Sequence, residues 1–373
     1  MKCNWKECTL GDLITFQRGH DLPKSQMING KYPVVGSNGI IGYHNEYTTE
    51  APSITIGRSG NVGNPYIVYG RTWSHNTTLY VKDFKGNDPV FVYYFLKTMD
   101  LANYAGGSAV PTLNRNHIHT LPIEVPESVG VQKKIGYYLR LFDEKIELNN
   151  EINNNLEQQA QAYFDELFVV HADPNWSECT LSDIGSVVAG GTPSKSKPEY
   201  YADQGIAWIT PKDLSVNKSK FISHGENDIS ELGFSKSSAA KMPAGTILFS
   251  SRAPIGYIAI AQNEVTTNQG FKSVIPNENI STAYMYFLLK NLLPTIEGMA
   301  SGSTFKEISG AAMKSVPTVM PDADTIQLFS SFCEPVFKEQ EILEAENHRL
   351  SALRDSLLPK LMSGELDVSN IEL

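Results

Sequence analysis

Asn4-Trp5-Lys6-Glu7-Cys8-Thr9-Leu10 returns 171 residues later as Asn175-Trp176-Ser177-Glu178-Cys179-Thr180-Leu181. Further along the chain the offset is 195: Gly107 and Ser108 answer to Gly302 and Ser303, Pro122 to Pro317, Gln132 to Gln327 and Phe142 to Phe337. The change of offset marks an insertion of about two dozen residues in the second copy. A unit this long is not a solenoid repeat, whose period runs to a few tens of residues. The chain is a duplicated module, and two copies of one module can form a pseudo-dimer about an approximate two-fold axis. Such an object suits a target that also comes in two halves, as duplex DNA does.

At 373 residues the chain holds two or three domains, each large enough for its own core. No run of about 18 apolar residues is present, so no membrane span is expected. The opening Met1-Lys2-Cys3-Asn4-Trp5 lacks the apolar stretch of a signal peptide, and a cytoplasmic location is expected. Cys3, Cys8, Cys179 and Cys333 show no C-x-x-C spacing, and the eight histidines are scattered. Neither a disulfide framework nor a zinc site is expected, and Cys8 and Cys179 are assigned to the cores of their own copies.

A net charge of −10 argues against a polyanionic partner until its distribution is read. Residues 1–130 carry 11 basic and 10 acidic side chains, and residues 171–320 carry 12 and 13. Residues 131–170 carry 4 and 7, and residues 321–373 carry 4 and 11. The net negative charge lies outside the two larger segments, whose own nets are +1 and −1. Those segments are compatible with a basic face or with a plain near-neutral surface, and charge alone leaves both open.

Each copy reads as short strands and turns with a short helix. Tyr32-Pro33-Val34-Val35 leads into the turn-rich Gly36-Ser37-Asn38-Gly39, and Ser53-Ile54-Thr55-Ile56 alternates at period two. Gly57-Arg58-Ser59-Gly60-Asn61 is a tight loop, Tyr66-Ile67-Val68-Tyr69 a strand and Pro89 to Met99 a helix. The second copy repeats the order with strand Thr246-Ile247-Leu248-Phe249, turn Ser251-Arg252-Ala253-Pro254, strand Tyr257-Ile258-Ala259-Ile260 and helix Ala283 to Leu292.

A long helix follows each copy. From Val131 to about Val169 the sequence has no Pro or Gly except Gly136, and Ile135, Leu139, Phe142, Ile146, Ile152, Leu156, Ala160 and Phe164 form a stripe. The second helix runs from about Asp324 to Leu361 with Phe332, Leu343, Leu350, Leu353 and Leu357 on its stripe and a kink expected near Pro335. Asn149 and Asn347 interrupt the stripes, as register-setting polar residues do. Each helix is about 60 Å long. That outruns a 130-residue domain of about 28 Å diameter. The expected architecture is therefore α+β: two α+β domains joined by two long antiparallel coiled-coil helices with pseudo-two-fold symmetry. The boundaries are 1–128, 129–170, 171–320 and 321–362, with a tail at 363–373.

Catalytic signatures are missing from the sequence. There is no G-x-x-x-x-G-K-[ST] loop, no H-E-x-x-H and no G-x-S-x-G. Gly63-Asn64-Pro65-Tyr66 lacks one proline of the N-P-P-Y of amino-methyltransferases, and Pro321-Asp322 has no E-x-K partner. The chain is expected to do no covalent chemistry alone.

With these features the chain resembles the specificity subunit of type I restriction–modification enzymes over its whole length. The closing segment Leu353-Arg354-Asp355-Ser356-Leu357-Leu358-Pro359-Lys360-Leu361-Met362-Ser363-Gly364-Glu365-Leu366 is similar to that family's closing motif. The openings Trp5-x-x-Cys-Thr-Leu-Gly-Asp-Leu13 and Trp176-x-x-Cys-Thr-Leu-Ser-Asp-Ile184, Gly191-Thr192-Pro193-Ser194, and Gln132 and Gln327 at the helix starts match as well. The resemblance implies a target-recognition domain in each copy, reading one half of a split double-stranded DNA sequence, with the helices as a ruler between the halves. It also implies partners: two methyltransferase subunits that bring S-adenosylmethionine, and restriction-motor subunits that bring ATP and Mg. Catalysis belongs to those partners, and no cofactor or metal is expected in this chain. Two other readings stay open: a structural adaptor that binds proteins or glycans, and an autonomous DNA-modifying enzyme of unrecognised type.

Positions shared by the copies suit scaffold or phosphate contacts, and positions that differ suit base reading. The candidate DNA-contacting residues of the first copy are Arg18, Ser37, Asn38, Arg58, Ser59, Asn61, Asn76, Thr112, Asn114 and Arg115. Those of the second are Thr192, Lys195, Lys197, Lys212, Arg252, Asn268, Gln269 and Lys306. Arg58 is matched with Arg252 as a phosphate or guanine contact, against the alternative of an arginine that caps its own turn or pairs with a carboxylate. Asn76 is matched with Asn268, for which turn formation is the plainer account. Thr112, Asn114, Arg115 and His117 face Thr304, Lys306 and Ser309; base reading and ordinary loop drift explain that difference equally. Lys195, Lys197, Lys212, Lys218 and Lys220 form a cluster suited to phosphate or simply to water. The first copy's Arg18-Gly19-His20-Asp21-Leu22-Pro23 departs from Gly190-Gly191-Thr192-Pro193 of the second. Tyr32, Tyr43, Trp73, Tyr200, Tyr201 and Trp208 are assigned to the cores.

Overall fold

Thr9 and Thr180 start the two modules in the same way. The Asp12 carboxylate accepts from the Thr9 N–H at 2.9 Å, and Thr9 Oγ1 accepts from the Asp12 N–H at 3.2 Å. Asp183 accepts from the Thr180 N–H at 2.7 Å. Each pair closes the first turn of a four-residue helix, Leu10–Leu13 and Leu181–Ile184. The repeated Thr-Leu-x-Asp is thus a capping box, in which two otherwise orphaned donors are satisfied locally.

The computed structural model describes residues 4–107, 111–252, 254–302 and 306–371. Met1, Lys2, Cys3, Ser108, Ala253, Ser303 and Thr304, named above, lie outside the described residues. The chain divides into two units: Met1–Glu147 with His348–Leu373, and Leu148–Asn347.

In the first unit a four-stranded antiparallel sheet has the order Thr15–Arg18, Thr78–Asp83, Ser53–Gly57, Pro65–Val68. A three-stranded sheet, Gly39–His44, Tyr32–Gly36, Trp73–Ser74, lies beside it in sequence. Alternation predicts one buried face for Ser53–Gly57, yet all five residues are buried. The polar face is covered because Ser53 Oγ bonds the Thr72 hydroxyl at 2.7 Å, next to the second sheet's edge strand.

The second unit repeats this plan. Its larger sheet has the order Gly185–Ala189, Lys272–Pro276, Ile247–Ser251, Ile255–Ala261, Phe221–Ile222. Its smaller sheet has the order Tyr201–Ala202, Asn227–Ile229, Ile206–Ile209, Thr266–Thr267. The parallel pairings Val35 with Ser74 and Ile209 with Thr267 are equivalent. Most of the added residues lie between Ile209 and Thr246 and supply the edge strand Phe221–Ile222 of the larger sheet.

The long helices span Val129–Asp165, continued by a π-helical turn Glu166–Val170, and Ala323–Met362. The second runs on through Pro335, where a kink was expected. In the first unit Ile135 and Leu139 of one helix and Leu358, Leu361 and Met362 of the other enter the core around Phe91 and Ile54. In the second unit Ala160, Phe164 and Phe168 join Phe329 and Cys333 around Tyr284 and Phe287. Within that unit the two helices run antiparallel: Asn149 Nδ2 donates to Asn347 Oδ1 at 2.9 Å, and Gln340 Nε2 to the Asn153 carbonyl at 3.1 Å. Both stripe-breaking asparagines therefore face each other.

Three stripe residues depart from expectation. Ile152, Phe332 and Leu353 are exposed, whereas Phe329 and Cys333 are buried. A heptad pattern assumes a helix that packs only on another helix. Here the helices also pack on globular cores, which draws the buried face one step round the turn. Cys8 and Cys179, assigned to cores, are half-buried against them. Among the six aromatics assigned to cores only Trp208 is buried, and Tyr43 is 48% exposed on an edge strand. No described helix is long and apolar enough to cross a membrane.

Candidate nucleic-acid interface

Thr77 gathers the candidate residues of the first unit. Its carbonyl accepts from the Arg58 N–H at 2.8 Å and the Ser59 N–H at 3.3 Å. Its hydroxyl accepts from the Ser37 N–H at 3.3 Å and bonds His75 Nδ1 at 3.1 Å. The loops carrying Ser37–Asn38, Arg58–Asn61 and His75–Thr77 are thereby pinned together. Asn61 is tied to Asn64, and its carbonyl lies so close to Gly57 that a Cβ there would stand at 1.7 Å. Asn76 donates to Asp21, which also takes Arg18 at 3.5 Å. Ser59 bridges to Thr112, two residues before the Asn114 cap that accepts from the Asn116 N–H at 2.9 Å. The structure thus links the loops that carry Ser37, Arg58, Ser59, Asn61, Asn76 and Thr112, reaches Arg18 at a strand end through Asp21, and commits Asn114 to its cap. Thr77, absent from the candidates, organises them; its only trace in the sequence is its place beside Asn76.

In the second unit Thr192, Lys195, Lys212, Asn268 and Gln269 line one recess of about 530 Å³. Tyr201 and Trp208, assigned to the core from sequence, also line it, as do Asp213, Glu226 and Asn227. Lys197 is paired outward with Glu199 at 3.8 Å, and Lys306 is exposed beside Glu307. Lys220 leaves the expected lysine cluster altogether. Its side chain is 7% exposed, paired with Glu157, and its Nζ donates to Gln340 Oε1 at 2.6 Å. Lys218 lies 4.7 Å over the Tyr257 ring.

Backbone bonds correct the residue matching between the copies. Arg58 N donates to the Thr77 carbonyl at 2.8 Å, and Ser251 N to the Gly270 carbonyl at 2.7 Å. Leu113 N donates to the Arg58 carbonyl, and Ile308 N to the Ser251 carbonyl. Arg58 therefore corresponds to Ser251, and Arg252 to Ser59. Likewise Thr78 N meets the His75 carbonyl where Phe271 N meets the Asn268 carbonyl, so Asn76 corresponds to Gln269 and not to Asn268. The hairpin loops differ in length, and shared residue types drew the sequence matching one position off the ladder.

The correction separates the arginines. Arg252 Nη1 lies 3.3 Å from Glu307, which stands where the first copy has Thr112. Arg58 has no counter-ion among the described residues. Asn268 is a turn former, its Oδ1 accepting from the Gly270 N–H at 2.8 Å. His119 is also structural: Nε2 accepts from the Phe16 N–H at 2.9 Å. Burial, helped by Arg115 and Lys85, keeps its pKa below the usual histidine value.

The family model described as the type I restriction modification DNA specificity domain matches residues 2–158 and again residues 174–352. The chain belongs to that family. As a specificity subunit it supplies DNA sequence recognition and is not by itself an enzyme. It is 38% identical over 190 residues to the MjaIX specificity subunit of Methanocaldococcus jannaschii, a match of 48% of this chain and 44% of that protein. The HindI specificity subunit of Haemophilus influenzae is 24% identical over 359 residues, 74% of this chain and 77% of its own. The EcoR124I/EcoR124II specificity subunit of Escherichia coli is 27% identical over 313 residues, 79% of this chain and 72% of its own. In fold, the specificity subunit resembles the S subunit of a type I system from M. genitalium, with a TM-score of 0.65 over 96% of both chains at 19% identity.

Proposed function

We propose that the two modules, residues 1–128 and 171–320, each read one half of a bipartite duplex target. One observation carries this reading: the same backbone ladder presents different side chains at equivalent points. Arg58 answers to Ser251, Ser59 to Arg252, Asn76 to Gln269 and Thr112 to Glu307. A shared frame with exchanged polar groups suits two half-sites of different sequence, because base edges are told apart by donor and acceptor pattern. The long helices, whose segments carry the chain's net negative charge, suit protein docking better than DNA contact. They are the proposed seat of two methyltransferase subunits bearing S-adenosylmethionine, to which restriction-motor subunits using ATP and Mg are added.

Co-expression with the methyltransferase subunit, followed by genome-wide mapping of methylated bases, tests the reading. A split asymmetric motif is expected; a continuous one contradicts it. Inserting one heptad in both long helices adds about 10.5 Å to each. The gap between half-sites should then grow by about three base pairs at 3.4 Å each, with the half-sites unchanged.

A further inference from the structure

The recess of the second module holds hydrogen-bonding capacity that the fold does not use. Most of its polar lining is spent on its own walls. Tyr201 OH donates to the Pro193 carbonyl at 2.9 Å, and Trp208 Nε1 to the Gly191 carbonyl at 3.0 Å. Asp213 caps Thr210 at 2.7 Å, and Lys212 is held by Glu226 at 2.5 Å. Thr192, Lys195, Asn227 and Gln269 have no such partner among the described residues, and the Thr192 hydroxyl is buried without one.

Comparison with the first module singles out Gln269. At the equivalent point Asn76 is tied to Asp21. The residue equivalent to Asp21 is Thr192, since His20 N and Gly191 N donate to the matching carbonyls of Ser74 and Thr267. The second module has thus replaced the tying carboxylate with a short hydroxyl and lengthened the amide by one methylene. Its amide is left free and exposed at a turn fixed by Asn268. A planar amide offers one donor and one acceptor side by side, the pattern complementary to adenine N7 and N6 in the major groove. We propose that Gln269 reads an adenine of the second half-site through this two-point contact, with Lys195 on a neighbouring phosphate. The proposal rests on the DNA-reading function above.

The test uses the complex of this chain with its methyltransferase subunit and a duplex carrying the mapped target. 7-Deazaadenine, which lacks the N7 acceptor, is placed in turn at each adenine of the second module's half-site. At one position the wild-type complex should lose roughly 5- to 150-fold in affinity, the range of a good bidentate contact. The Gln269→Ala complex should start weaker by a similar factor and lose nothing more at that position. Gln269→Glu, which keeps the length but loses the donor, should behave the same way there. Lys195→Ala should weaken every duplex evenly. Unchanged binding by Gln269→Ala, or full independent losses at every adenine, overturns the proposal. Equal binding of target and scrambled duplexes by the wild type overturns the DNA-reading function as well. Gln269 is exposed and unpartnered, so folding is not at stake in either variant.

Discussion

At the residue scale, Arg58 and Arg252 show that one side-chain type carries two different jobs. Arg252 is paired with Glu307, which also lies 3.9 Å from Lys272. Arg58 has no such carboxylate among the described residues. Arg58→Ala should therefore weaken DNA binding and lower the salt slope by about one unit. Arg252→Ala should leave the slope nearer the wild-type value. Titrations of the methyltransferase complex at several salt concentrations decide this, and equal slopes for the two variants contradict the distinction. Neither Glu307 nor the one-residue offset was readable from sequence, because ladder register depends on loop length and hydrogen bonding rather than on residue identity.

At the element scale, the long helices do more than pair with each other. In the second unit Glu157 receives Lys220 and, at 2.6 Å, Lys290. Lys220 Nζ also lies 4.1 Å from the Phe337 ring centre. These contacts lock the edge strand Phe221–Ile222 and the helix Thr282–Asn291 to both long helices. Burial alone would raise the Glu157 carboxyl, but the two ammonium groups outweigh it and hold its pKa below the usual value. Glu157→Gln would leave the buried Lys220 uncompensated and should cost about 3 kcal/mol in urea denaturation. A carboxyl with a depressed folded pKa stabilises fully above its unfolded value, near 4.3, and loses that contribution as pH falls through the folded value. The gap between wild type and Glu157→Gln should therefore be complete at pH 7 and shrink below about pH 4. A gap that stays constant with pH contradicts this role. The existence of both helices was legible from their periodicity. Lys220 was not, because a lysine among lysines gives no sign of burial.

At the scale of the whole molecule, the two ends of the chain meet in one unit. Leu358, Leu361, Met362 and Val368 close the core of the first module. Lys134 Nζ donates to the Ser369 carbonyl at 2.7 Å. Gly364, at φ +73°, lies under Trp5, where an added Cβ would stand 2.7 Å from the indole Nε1. The closing segment thus has a structural role: it completes the N-terminal module. Gly364→Ala carries the left-handed backbone penalty, about 1–2 kcal/mol, before any clash with Trp5. It should lower the stability of the first unit by at least that amount and leave the second unaltered. Hydrogen exchange resolved by unit checks it, and equal losses in both units contradict it.

The sequence by itself determined the duplication, the α+β class, the two long helices and the family. All of these are written in local pattern: strand alternation, helical period and repeated motifs. Only the tertiary structure decided which residues correspond between the copies, which lysine is buried, and which amide is left free at the recess. Those outcomes depend on which backbone groups and counter-charges meet across the fold. Such meetings are set by loop lengths and packing between residues far apart in the chain, where no sequence period reaches.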